Sequence, residues 1–148
     1  MQGIKRLERM EKGQVVGLLL SDGIVRTKKE AEAWLARYIP LEKVYQKAII
    51  EYLKSRGDCV FWKNAAGVYQ KQGVPDLTVI VQGTFFGFEV KRPLIGAPSE
   101  MQLRMQQKVR LAGGTYEFVS FPEEVKDIIE GRLKDETERE SAKTSRVP

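Results

Sequence analysis

The sequence predicts an α/β fold, a central mixed sheet flanked by helices on both faces, preceded by a mainly helical N-terminal extension. Three observations carry that prediction. From Leu41 onward the apolar pattern runs helix, three strands, helix, strand, helix. A chain of 148 residues with 42% hydrophobic content supplies one core of ordinary size, and two large domains are excluded. No internal repeat or low-complexity run interrupts the order.

Residues 1–39 read as a charged extension. Its clearest element starts at Thr27, where Thr27-Lys28-Lys29-Glu30 spells a capping box before Ala31, Trp34, Leu35 and Tyr38, and Pro40 ends it. The earlier piece, Ile4 to Leu20, is compatible with a helix that turns Ile4, Leu7 and Met10 inward. It is also compatible with a hairpin pairing Val15–Leu20 with Ile24-Val25; the helix is the preferred reading. Leu41, Val44, Tyr45, Ala48, Ile49 and Leu53 then repeat at helical spacing up to Gly57. Asp58–Lys63 reads as a strand, and Asn64 to Val74 as a loop. Pro75 restricts Val74 to extended geometry and opens a buried strand, Leu77–Val81. Gln82-Gly83 turns the chain into Thr84–Lys91, which Arg92-Pro93 and Gly96-Ala97-Pro98 break. A helix from Ser99 places Met101, Met105 and Val109 on one face and stops at Gly113-Gly114. Thr115–Ser120 is the fourth strand. Pro122 at a first helical position, followed by Glu123 and Glu124, begins a last helix that buries Val125, Ile128, Ile129 and Leu133. The expected organisation is thus an extension over 1–39, a main domain over 40–133, and a polar, mobile tail over 134–148.

Composition narrows the chemistry. The absence of histidine excludes Ser-His-Asp hydrolysis, Cys-His proteolysis and His-ligated zinc. One cysteine, Cys59, excludes an intrachain disulfide and fits a reducing, cytoplasmic compartment. The longest apolar run, Val15–Leu20, is far too short to span a membrane. A net charge of +5 favours a polyanionic partner without proving one.

Carboxylates and a lysine carry the remaining possibilities. Side chains alternate along the strand Thr84–Lys91, so Glu89 and Lys91 share one face while Phe86, Phe88 and Val90 point to the other. If the Gln82-Gly83 turn joins two paired strands, the register sets Asp76 opposite Glu89. Two converging carboxylates repel, and a hard divalent cation such as Mg²⁺ or Mn²⁺ is the common resolution, with the Val90 carbonyl between them as a further donor. Such a cation lowers the pKa of bound water and neutralises charge on a phosphate, while Lys91 orients the water or stabilises the transition state. Phosphodiester hydrolysis without histidine is the implied chemistry.

Pro75-Asp76 followed by Glu89-Val90-Lys91 resembles the PD-(D/E)xK nuclease signature. Glu42 and Gln46 on the first core helix, Gly73-Val74-Pro75-Asp76-Leu77, and Ser99 with Gln102 resemble its VRR-NUC (virus-type replication-repair nuclease) branch over residues 41–120. The resemblance implies a restriction-endonuclease-like core of order αβββαβ and a metal-dependent DNA endonuclease. Small stand-alone members, many from phages, resemble Holliday junction resolvases and act as homodimers, which implies branched or junction DNA as substrate. It also implies metal ligation by Asp76, Glu89, the Val90 carbonyl and Glu42, with catalytic roles for Asp76, Glu89, Lys91 and Gln102.

Plainer readings stand beside these. Glu42 suits a helix N-terminus as a dipole partner, Gln102 fits Ser99-x-x-Gln102 as a capping box, and Gln46 fits an ordinary surface residue. Asp76, Glu89 and Lys91 fit a buried ion-pair network. Phosphate contacts are expected from Lys63, Asn64, Tyr69 and Lys71 in the loop and from Arg92, Arg104 and Lys108 beyond the catalytic strand. Residues 41–120 carry 11 Lys/Arg against 7 Asp/Glu, whereas residues 121–148 carry 6 against 8, so the end of the chain is a poor grip for DNA. No base-reading module is visible, which favours recognition of DNA shape. A nuclease for flaps or ordinary duplex ends, or a non-catalytic DNA-binding subunit of a repair assembly, are the alternative functions.

Overall fold

The computed structural model describes residues 2–65, 67 and 71–146. The extension folds as α1 (Gln2–Leu7), α2 (Lys12–Ser21) and α3 (Lys28–Tyr38). The preferred helical reading holds for Ile4 to Leu20, but with a break between Leu7 and Lys12, and no hairpin forms there. The break carries Glu8 and Arg9 onto the main domain. Tyr45 Oη donates to Glu8 Oε2 at 2.7 Å, and Arg9 pairs with Glu123 at 2.7 Å while lying over the Phe121 ring. Thr27 caps α3 by accepting the Glu30 amide; the Glu30 carboxylate reaches back to the amide of Arg26 rather than that of Thr27.

The main domain follows as α4 (Glu42–Arg56), β1 (Cys59–Lys63), β2 (Leu77–Val81), β3 (Thr84–Val90), α5 (Glu100–Leu111), β4 (Thr115–Val119) and α6 (Pro122–Thr144). The strands form one sheet in the order β1-β2-β3-β4, antiparallel except for the parallel pair β3-β4. Gln82 and Gly83, both at positive φ (50° and 81°), make the two-residue turn between β2 and β3. That turn sets the register: Leu77 pairs with Phe88 and Val79 with Phe86, so the next position brings Asp76 level with Glu89, as the sequence predicts.

One face of the sheet presents Leu77, Val79, Val81, Phe86, Phe88, Val90 and Val119 to a core shared with Ile49 and Leu53 of α4 and Val125 and Ile129 of α6. The other face carries a helix as expected, but is covered only in part. There α5 packs along β4, and the row Val60–Ile80–Phe85, aligned across β1, β2 and β3, is left 66%, 38% and 37% exposed, with Trp62 beside it. Helical cover is therefore complete on one face only, because α5 is a single helix and cannot span four twisted strands. Its inward positions are Gln102, Met105, Gln106 and Val109; Met101 is exposed, as are Leu41 just before α4 and Val44 and Ala48 on it.

A departure from expectation lies at the C-terminal end. The segment after Leu133, expected as a mobile tail, continues α6 to Thr144. No Gly or Pro occurs between Arg132 and Thr144, and i,i+4 pairs such as Arg132–Glu136 (2.9 Å) support the helix. Thr84 Oγ1 also donates to Glu136 Oε2 at 2.6 Å, tying the extended helix to the start of β3. Among the described residues no helix is long and apolar enough to cross a membrane.

Candidate active site

The Pro-Asp turn is seated on the sheet by three devices. Gly87 in β3 leaves room for Pro75: a Cβ there would lie 2.8 Å from Pro75 Cγ. Tyr116, fully buried in β4, donates its hydroxyl to the Gly73 carbonyl at 2.9 Å. Asn64, just past β1, donates from Nδ2 to the Pro75 carbonyl (2.8 Å) and to Thr78 Oγ1 (2.9 Å), while its own backbone amide donates to the Asp76 carbonyl (2.8 Å). Trp62 Nε1 completes the arrangement by donating to Asn64 Oδ1 at 3.1 Å.

Each of the two carboxylates, Asp76 and Glu89, then accepts a backbone amide from the other's side of the β2–β3 pair. The Asp76 amide donates to Glu89 Oε2 (3.1 Å), and the Val90 amide donates to Asp76 Oδ2 (2.9 Å). Lys91 Nζ sits 3.2 Å from Glu89 Oε1, and Gln102 Nε2 donates to the same oxygen. Gln102 keeps its capping role as well: its Oε1 accepts the Ser99 amide while its own amide donates to Ser99 Oγ. The two readings of Gln102 are thus compatible, because the amide side chain splits its donor and its acceptor between the two jobs. Behind Lys91, its amide donates to the Val119 carbonyl and its carbonyl accepts from Ser120 Oγ at 2.7 Å.

Glu89 is 5% exposed. Burial pushes its carboxyl up to about 7; the Asp76 charge adds to the rise and Lys91 opposes it. Glu42, the first residue of α4, is also held above the ordinary carboxylate range, first by partial burial, with Lys91 and Arg92 opposing and Asp76 adding. Both carboxyls therefore feel the Asp76 charge at this end of the sheet.

Asp76 also opens onto a groove of about 430 Å³ whose walls are Glu42, Lys43 and Gln46 from α4 and Lys63, Asn64 and Ala65 from the end of β1. Lys43 was not among the residues singled out from sequence. Its spacing of three from Gln46, one turn along the helix, is the signal that places it on the groove wall. Among the described residues no three acidic side chains crowd together closely enough to form a ready-made metal cage.

The residues expected at phosphates divide. Lys63 lines the groove, whereas Lys71 and Lys108 are exposed outside its lining. Arg104 is exposed on α5 and paired with Glu100 one turn away. Two also make hydrogen bonds within the fold: Asn64, on the groove wall, holds the Pro-Asp turn, and Arg92 donates to the carbonyls of Ala36 (2.9 Å), Ile39 and Pro40 (2.9 Å) at the end of α3. Both lie in polar stretches that read as surface, and only the fold reveals that neighbouring carbonyls need their donors. Tyr69 lies outside the described residues.

No protein-family model matches the sequence, and a search of curated proteins finds no significant match. Among solved structures, one described as "VRR_NUC domain" is similar to this chain at 29% sequence identity with a TM-score of 0.51, covering 60% of this chain and 94% of that one. The mixed four-stranded sheet, its flanking helices and the Pro75-Asp76…Glu89-Val90-Lys91 pattern on it make this chain VRR-NUC-like in both sequence and fold.

Proposed function

We propose that the chain is a metal-dependent DNA endonuclease. The observation that carries this reading is the hydrogen-bonded group Asp76–Glu89–Lys91–Gln102, which gathers two carboxylates, an ammonium and an amide at one end of β2 and β3. A buried carboxylate with its charge disfavoured is a costly feature for a purely structural network. The donor set suits Mg²⁺ or Mn²⁺ better than a softer metal, since every available group is a hard oxygen and Mg²⁺ commonly takes one or two carboxylates while keeping several waters. In this reading Asp76, Glu89, the Val90 carbonyl and, across the groove, Glu42 hold the cation. When bound, it supplies Lewis-acid stabilisation and a water of lowered pKa.

The chain's own residues do the rest. Gln102 and the Asp76 amide fix both oxygens of Glu89, leaving it little freedom to rotate. Lys91, held at Glu89 Oε1 and anchored through its backbone to β4, presents its ammonium where it can orient water or offset charge on a phosphate. Lys43 and Lys63 on the groove walls suit backbone phosphates on either side of the reacting one. DNA recognised by shape, with branched or junction DNA favoured, fits a groove with cationic walls and no base-reading helix. A homodimer acting in the cytoplasm belongs to the same proposal; the exposed row Val60–Ile80–Phe85 supports a second copy as its cover.

The test is cleavage of four-way, flapped and linear DNA side by side in Mg²⁺, Mn²⁺ and EDTA, with Asp76→Asn and Lys91→Ala alongside. Cleavage of junctions that needs the metal and fails in both variants is expected. Preference for flaps or duplex ends would replace the junction reading, and full activity in EDTA or in either variant would overturn the site.

A further inference from the structure

We propose that Arg92 is a positioning residue of this site, holding the α3–α4 junction so that Glu42 stands on the same groove as Asp76; the inference rests on the nuclease reading. It begins with a defect in the chain. In an α-helix the carbonyl of Ala36 would accept the amide of residue 40, but residue 40 is Pro and has none. α3 therefore ends at Tyr38, with Ile39 extended, and leaves carbonyls that no amide of its own can satisfy.

Arg92 supplies the missing donors from across the fold. Its guanidinium bonds Ala36 and Ile39 through one terminal nitrogen and Pro40 through Nε at 2.9 Å, so three carbonyls of the junction share one side chain. A cation also suits the negative end of the helix dipole. The carbonyl of Pro40 stands two residues before Glu42, where α4 begins.

The other end of this tether is equally fixed. Arg92 directly follows Lys91, whose amide and carbonyl are bonded to Val119 and Ser120 of the β4 end. The Gly96 amide donates to the Arg92 carbonyl at 2.8 Å, closing a tight turn after it. One residue thus joins the strand that carries Glu89 and Lys91 to the junction that carries Glu42. The helical extension becomes part of the site's framework through a contact that touches no reacting atom. A lysine keeps the charge but, as a point donor, cannot span three carbonyls in the plane of a fork.

The experiment is calorimetric titration of the full chain with Mn²⁺, together with thermal melting, for wild type, Arg92→Lys, Glu42→Gln and the double variant, with Asp76→Asn as reference. Arg92→Lys is expected to fold and to bind Mn²⁺ roughly tenfold more weakly. In the Glu42→Gln background the same change should have no further effect, since Arg92 acts through Glu42. An Arg92→Lys effect of equal size with and without Glu42, or no effect on Mn²⁺ affinity, overturns the proposal. Should Arg92→Lys not fold, Arg92→Gln is read in the same way. If Asp76→Asn abolishes binding and Arg92→Lys does not weaken it, only the tether fails. If Asp76→Asn binds Mn²⁺ as wild type does, or wild type binds none, the metal site itself fails and the tether with it.

Discussion

Two ends of one sheet face invert the usual rule of burial. At the end where β2 begins and β3 finishes, Glu89 is enclosed and Lys91 nearly so; toward the β2–β3 turn, Val60, Ile80 and Phe85 stand in solvent. Ordinary domains place charges outside and large apolar side chains inside. The polar end tolerates its burial because both Glu89 oxygens and one Asp76 oxygen have donors, and among the described residues no buried side-chain polar atom lacks a hydrogen-bond partner. The apolar end has no comparable compensation within one chain. The contrast separates a site finished internally from a surface that is not, and each end can be perturbed without the other.

The largest effect is expected at the polar end. Asp76→Asn should reduce metal-stimulated cleavage by at least about a hundredfold, read in single-turnover assays, while leaving the apolar row untouched. Next in size is the pH response of the metal-free protein. Because the folded state holds the Glu89 proton more tightly than the unfolded chain, the associated stability is fully present below about 4.5 and is lost as pH rises through about 7. Chemical denaturation from pH 4.5 to 8 should show wild type losing on the order of 2–3 kcal/mol relative to Glu89→Gln; parallel pH profiles would mean that Glu89 ionises at no cost. Gln102→Ala removes both a cap arm and a donor to Glu89, and should lower stability by about 1 kcal/mol in urea titration. At the apolar end, Val60→Lys should change stability by less than about 0.5 kcal/mol yet shift sedimentation from dimer to monomer. A chain that is monomeric before the change would end the case for a second copy on that face.

Much of the site was legible because local rules fix it. The hairpin turn at Gln82-Gly83 determines which residues pair, and pairing alone sets Asp76 against Glu89. The helix from Ser99 is announced by its cap, which also delivers Gln102 to the site. What remained hidden depends on distant partners. Arg92 reads as one more surface cation until α3 is seen to end in unsatisfied carbonyls, 52 residues or more away in sequence. Asn64 likewise looks like a polar loop residue until the Pro75 carbonyl comes within reach. Periodicity alone does not say that Leu41, Val44 and Met101 are exposed, since an apolar residue at helical spacing faces the core only if another element arrives to cover it. The run after Leu133 failed for the opposite reason: its charges suggest disorder, but at i,i+4 they brace a helix.

The seat of Pro75 against Gly87 lengthens the pattern by which such a site can be recognised. A methyl group at position 87 would lever the proline off the sheet and carry the aspartate with it, so the second residue before the glutamate is as constrained as the acids themselves. Pro75-Asp76 and Gly87-Phe88-Glu89-Val90-Lys91 are accordingly one interlocking unit, in which an inert vacancy on one strand decides whether an acid on its neighbour arrives at the right height.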